Sequence, residues 1–239
     1  MRKKIITILC VVGLWNYVAT AEKTTDGFET RIAFGLTLNE GNTDASLMTS
    51  ELTTESRTKR REITAGGEYL YGERNGEKNA DRTRLYAGTK EFVSEPFFLS
   101  GDLAAKRDRI AEIDYRVISS VGAGYFFIDT DNVTLSVDTG PAYVWEKVSG
   151  GREDYLGARF AQLYRHRLNE NARWWQSLEY VPELQSTVNY LLTGEAGIEA
   201  AVNSRISLRT VYRVAYDNEP AEDKRTTDHQ LITSIVVSL

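Results

Sequence analysis

Apolar residues in this chain recur at every second position, and the pattern returns from about residue 27 to the C-terminus. In "RISLRTVYRVAY" (residues 205–216), the apolar or aromatic residues Ile206, Leu208, Val211, Tyr212, Val214 and Tyr216 fall mostly on even positions, while Arg205, Ser207, Arg209 and Arg213 fall on odd ones. A period of two sends successive side chains to opposite faces, so the segment is a strand with one greasy and one charged side. In "NVTLSVDTGPAYVWE", Val133, Leu135, Val137, Tyr143 and Trp145 oppose Thr134, Ser136, Asp138 and Glu146. In "PFFLSGDLAAKRD", Phe97, Leu99, Leu103 and Ala105 oppose Ser100, Asp102, Lys106 and Asp108. No stretch sustains a period of 3.6, and helices are expected to contribute little.

Turn signals divide the chain into about twelve strands, over 27–40, 44–58, 61–73, 80–94, 97–109, 113–128, 132–147, 153–168, 172–183, 187–201, 204–218 and 226–239. Each is longer than the ~5–6 residues of an average globular strand and meets the ~9–11 needed to cross a bilayer at a tilt. Connections after the even-numbered strands are tight. Those after the third, seventh and eleventh ("GERNGEKN", "SGGRED" and "DNEPAEDKR") read as longer, polar loops. An even strand count with short turns at one end and longer loops at the other is the organisation of an outer-membrane barrel.

Period two by itself also fits a soluble sandwich, with apolar residues in a core and charges in water. Two features favour a barrel in lipid. The apolar faces are thin, rich in Gly, Ala and Thr, which suits lipid contact better than a dense core. Tyrosine, of which there are 13, prefers the membrane interface. In the barrel reading Tyr69, Tyr71, Leu85 and Ala87 face lipid, while Glu68, Arg82, Arg84 and Lys90 face the lumen, with "GERNGEKN" exposed between them.

The first 21 residues fit export. Arg2, Lys3 and Lys4 precede an apolar run, and Ala19-Thr20-Ala21 has the spacing of a cleavage site, so a secretory signal peptide is expected. Cys10 follows Leu9 and lacks a lipoprotein context, and cleavage leaves a mature chain of 218 residues without cysteine. Such a chain is held by burial and backbone pairing alone. Cleavage lowers the 29 basic residues to 26 against 34 acidic ones, a mature net charge of −8, which argues against a nucleic-acid partner.

"GNTD" (41–44), "EYLYGERNGEKNADR" (68–82), "YFFIDT" (125–130), "RLNEN" (167–171) and "YRVAYDNEP" (212–220) resemble the bacterial domain of unknown function 481 family, often labelled salt-induced outer-membrane protein. The resemblance covers roughly residues 28–239. It implies an all-β, antiparallel transmembrane barrel in a Gram-negative outer membrane, without catalytic residues to carry over. The expected organisation is a signal peptide (1–21), a short periplasmic tail (22–27) and a barrel (28–239). Expected partners are outer-membrane lipid and, during biogenesis, the barrel-insertion machinery and periplasmic chaperones. Two departures stand out. The chain ends in Leu239 where barrel proteins usually end in an aromatic residue, and Pro141 falls within a strand, where a bulge or local break is expected.

No catalytic, metal or cofactor site is expected. His166 and His229 lack metal-ligand spacing. "DTDN" (129–132) lacks the glycine and glutamate of a calcium loop. His229 would lie on the outer wall, as in membrane lipid hydrolases, but no serine motif accompanies it. The polar phase collects Glu68, Arg82, Arg84, Asp102, Lys106, Asp108, Arg116, Asp138, Arg159, Glu179, Glu195, Arg209 and Arg213. Glu68, Arg82, Arg84, Asp102, Lys106, Asp138, Glu195, Arg209 and Arg213 are the candidate lumen-lining residues. Either they pair across strands and fill a structural lumen, or they line a passage selecting small solutes by charge. The two function classes are thus a small channel and a non-conducting envelope barrel, with a soluble periplasmic ligand-binding barrel as a third.

Overall fold

The computed structural model describes residues 27–39, 45–186 and 188–239. The expected signal peptide, the tail apart from Gly27, and the "GNTD" segment lie outside the described residues. Twelve strands follow: β1 (Glu29–Asn39), β2 (Ala45–Arg57), β3 (Arg61–Arg74), β4 (Glu77–Ser94), β5 (Phe97–Asp108), β6 (Ile113–Asp129), β7 (Val133–Val148), β8 (Gly151–Arg167), β9 (Ala172–Pro182), β10 (Tyr190–Ala201), β11 (Ile206–Asp217) and β12 (Thr227–Ser238). Every strand pairs antiparallel with its sequence neighbours, and β1 closes the cylinder on β12 from Arg31↔Ser238 to Phe34↔Ile235. Closure matters because an open sheet of this length would present unpaired N–H and C=O groups at its edges.

The two phases of each strand meet opposite solvents. Leu85, Leu99, Leu208 and Leu231 are each half exposed or more on the outer wall, as in a barrel whose outer solvent is lipid. The inner wall is mixed. Leu70, Phe98, Val144, Val181 and Val236 are at most 2% exposed there, alongside buried Glu68, Arg116 and Asp138. Aromatic rings gather near both ends of the wall. At the short-turn end Phe97 meets Tyr125 at 5.1 Å and Tyr164 meets Trp174 at 5.0 Å. At the other end Tyr143 meets Trp145 at 4.6 Å, and Tyr190 lies 5.6 Å from Tyr180 and 5.3 Å from Tyr216. Two such girdles suit rings with one dry and one wet edge.

One expectation is corrected and another is met. "GERNGEKN" and "SGGRED" are not long loops. β3 and β4 continue to a two-residue turn at Asn75-Gly76 (φ 52° and 81°), and β7 and β8 to one at Ser149-Gly150 (φ 48° and 80°). Positive φ at both central residues is the turn that matches strand twist, and Asn-Gly is its strongest sequence signal. Charge had masked a hairpin. The loop 217–226 keeps most of its charge in solvent, with Glu219, Glu222, Asp223 and Arg225 exposed, while Ala221 is tucked inward at only 6% exposed. At Pro141 the expected local break is present on one side. The register with β8 is unbroken (Pro141↔Ala158), but the β6–β7 ladder skips two positions between Ser120↔Ala142 and Ala123↔Thr139, with the same offset on both sides and no bulge. Gly140 accounts for the close passage, since a Cβ there would lie 2.0 Å from the Val121 carbonyl oxygen.

Candidate functional site

The pleat explains why the lumen is charged. Glu68, Arg82, Arg84, Lys106, Arg116 and Asp138 stand on even positions of β3 to β7, and Arg159, Glu179, Glu195, Arg209 and Arg213 on odd positions of β8 to β11. In each strand that parity is the inward one. Once inside, the side chains reach across the barrel as well as along the wall.

Arg213 is clamped between two carboxylates. Its guanidinium donates to both carboxylate oxygens of Glu68 at 2.9 and 3.0 Å and to Glu195 at 2.8 and 2.9 Å. Trp175 Nε1 donates to the other Glu195 oxygen at 2.9 Å. Because β11 and β3 are four positions apart around the ring, the Arg213–Glu68 pair is a crossbar through the lumen. Arg209 makes a second one to Glu51 of β2. A third joins Arg116 of β6 to Asp217 of β11 at 2.8 Å, with Glu146 also bound to Arg116. A fourth joins Arg165 of β8 to Glu62 of β3 at 3.2 Å. Planar, five-donor guanidinium groups suit such multidentate bridging better than ammonium groups.

The remaining candidates sort into further groups. Arg159 gathers Asp138 at 2.5 Å, Glu179 at 2.7 Å and Asp102 at 3.2 Å. Arg82 donates to Asp108 at 2.5 Å and Gln230 at 2.9 Å, and Lys106 lies 3.8 Å from Asp108. Arg84 packs over the Tyr86 ring, 5.5 Å from its centre. The structure thus brings Glu68, Glu195 and Arg213 together and groups Asp102 with Asp138, whereas Arg209 turns to a partner absent from the sequence-based set. Glu51, Glu62 and Arg165 were missed. Glu51 had a usable signal: Thr49, Thr53 and Glu55 share its phase in β2, opposite Met48 and Leu52.

Three cavities lie in series along the lumen. One of about 580 Å³ sits at the short-turn end, lined by residues such as Arg57, Thr134 and Arg173. A middle one of about 340 Å³ includes Glu68, Lys90, Asp102 and Arg159. A third, of about 140 Å³, lies beneath the loop 218–226 and includes Pro220 and Ala221. Glu51, Arg165 and Arg209 border both the first and the second, and Arg84, Glu179 and Arg213 both the second and the third. The crossbars from Arg165, Arg209 and Arg213 therefore stand where neighbouring cavities meet, whereas Arg116–Asp217 borders the third cavity alone. Among the described residues Arg209 Nε and Glu199 Oε2 are buried without a hydrogen-bond partner, at a cost of about 1–3 kcal/mol each.

The loop end is fastened electrostatically. Lys224 Nζ lies 2.9 Å from Glu112 in the β5–β6 connection, and the Ser149 hydroxyl donates to Glu112 at 2.7 Å. The Ser149 hydrogen bond, with Lys224 beside it, holds the Glu112 carboxyl below its ordinary value of 4.5. Asn218 Nδ2 donates to the Val188 carbonyl at 2.6 Å. Among the described residues no group of three or more His, Cys, Asp or Glu side chains is placed to hold a metal ion.

Comparison with known proteins gives three findings. A family model described as protein of unknown function, DUF481, matches residues 32–239. The uncharacterized protein YdiY of Escherichia coli (strain K12) is 21% identical over 207 residues, covering 84% of this chain and 81% of its own. Among solved structures, the NanC porin superposes with a TM-score of 0.54 at 7% identity, over 88% of this chain and 98% of that one. An outer membrane channel from Pseudomonas putida F1 superposes with a TM-score of 0.52 at 8% identity, over 93% and 100%. At such identities the likeness is one of fold.

Proposed function

The chain belongs to the DUF481 family, and from that premise we propose that it is a narrow channel of the Gram-negative outer membrane, passing ions or small solutes through a lumen crossed by ion pairs. In this reading residues 1–21 are a cleaved signal peptide, residues 22–27 a periplasmic tail and residues 28–239 the barrel, with the short turns in the periplasm. Outward leucines and the two aromatic girdles support insertion in lipid.

The observation that carries the channel reading is the series of three cavities whose shared linings are mostly charged and polar. Apolar constrictions close a pore by dewetting, whereas rings of charge select among the ions that pass. Eight-stranded barrels fill their interior with side chains and sixteen-stranded ones leave a channel. Twelve strands fall between them, so the side chains decide. A second reading, a non-conducting barrel serving envelope integrity, is favoured by the crossbars from Arg209 and Arg213 and by the fastened loop. Association with salt or osmotic stress rests on the family label, and is tested by growth of a deletion strain at high osmolarity.

The deciding experiment is single-channel recording of refolded mature protein in a planar bilayer, after heat-dependent gel mobility has confirmed folding. Discrete current steps, with ion preference altered in Arg209→Ala/Arg213→Ala, support the channel. A folded barrel that inserts repeatedly without current supports the structural alternative.

A further inference from the structure

One row of inward side chains sets like charges beside one another. Arg84 on β4 stands directly opposite Lys106 on β5, and Lys106 directly opposite Arg116 on β6. Like charges facing one another across neighbouring strands are destabilising, and here three cations stand side by side with no acid between them. The row is bounded by Glu68, opposite Arg84 on β3, and Glu146, opposite Arg116 on β7. Both acids are already engaged, Glu68 by Arg213 and Glu146 by Arg116. The acid nearest Lys106 is Asp108 at 3.8 Å, which Arg82 holds more closely at 2.5 Å. Arg84 forms no ion pair among the described residues, and its contact is with the face of Tyr86.

Arg84 and Lys106 both line the cavity of about 140 Å³ beneath the loop 218–226. The same cavity is bordered by Val181 and Leu191, by Ala221 and Lys224 of the loop, and by the acids Glu179, Asp217 and Asp228. Val181 and Leu191 belong to a buried apolar cluster with Ala142, Val144 and Tyr155. The chamber therefore has cations on β4 and β5 and apolar side chains on β9 and β10, while its acids Glu179, Asp217 and Asp228 are taken up by Arg159, Arg116 and Arg82 respectively. A bare inorganic anion would satisfy only the cations, and a neutral apolar molecule only the apolar side chains.

We propose that this chamber binds a small organic carboxylate, its charged group between Arg84 and Lys106 and its hydrocarbon part against Val181 and Leu191. Charge-assisted hydrogen bonds to a guanidinium and an ammonium supply the anion preference, and burial of the hydrocarbon supplies the rest. Arg84 also borders the middle chamber, so a carboxylate bound there stands where one chamber opens to the next. In its role as a selectivity element the site rests on the channel reading. Binding itself does not.

The test is calorimetric titration of refolded mature protein in detergent at low ionic strength, with benzoate as probe and benzyl alcohol and chloride as controls. The expected result is saturable one-to-one binding of benzoate, tighter than either control. It weakens at least tenfold in Arg84→Gln and in Lys106→Gln and is unchanged in Arg61→Gln on the outer wall. Both lumen substitutions relieve repulsion and are expected to keep the heat-dependent gel shift. Ala221→Phe, which fills the chamber from the loop, supplies an independent block. Benzoate binding no tighter than benzyl alcohol, or unaffected by all three lumen and loop variants, overturns the proposal. Benzoate binding by a barrel that carries no current leaves the site standing and removes the channel. Current without benzoate binding does the reverse.

Discussion

Arg213 and Arg84 occupy the inward faces of neighbouring regions of one lumen, yet their surroundings differ in kind. Arg213 is clamped by two carboxylates and Arg84 by none. Removing one partner of a buried, hydrogen-bonded pair leaves the other charge uncompensated, at a cost of about 3 kcal/mol. Arg213→Ala is thus expected to lower the denaturant midpoint by that equivalent, and Arg84→Ala to leave it unchanged or higher. A double-mutant cycle of Arg213→Ala with Glu68→Ala should show strong coupling. Additive single effects would falsify the crossbar. The sequence placed both arginines on the inward phase because parity is local. It could not assign their partners, since Glu68 and Arg213 are brought together only when the sheet closes.

At the scale of the element, turns and close strand passages decide the geometry. Gly76, with φ at 81°, sits in a region that a branched residue adopts only at about 1–2 kcal/mol. Gly76→Val should slow or misregister the β3–β4 hairpin in refolding assays, while Asn75→Gly should not. At Gly140 an added Cβ meets the Val121 carbonyl oxygen at 2.0 Å, whereas at Gly101 its nearest neighbour is a side-chain carbon at 3.6 Å. Gly140→Ala is accordingly expected to reduce the yield of heat-modifiable barrel and Gly101→Ala to be tolerated. The fastened loop is a further element-scale device. Because the Glu112 carboxyl is held below its ordinary value when the loop is docked, its contribution is present above that value and lost as pH falls through the lowered one. An Ala221→Cys thiol should react slowly with a maleimide at neutral pH. A reversible loop release, read by brief acid exposure with an acid-tolerant thiol reagent such as a pyridyl disulfide, should speed the reaction below about pH 4, in the range of carboxylate titration. Glu112→Gln should abolish that pH step, and an unchanged step in this variant would remove the latch.

For the whole molecule, the lumen is crossed by ion pairs, so ionic strength acts on them. Salt screens hydrated pairs over about 8–10 Å at 0.1–0.15 M, and the conductance of the wild-type barrel is expected to rise more steeply than bulk conductivity between dilute and molar salt. Arg209→Ala/Arg213→Ala should follow bulk conductivity more closely. Equal slopes would place the current-limiting step elsewhere. The sequence by itself determined the class of fold, the strand count, the ends of most strands within a few residues and the inward phase of the charges. All of these follow from a period-two pattern read over one strand at a time. Only the tertiary structure decided that the charge-rich "GERNGEKN" is a tight hairpin, that Ala221 of the loop 218–226 is tucked inward, and that the lumen charges form crossbars. Those outcomes depend on which distant strands face one another across a closed ring, and local alternation carries no record of that.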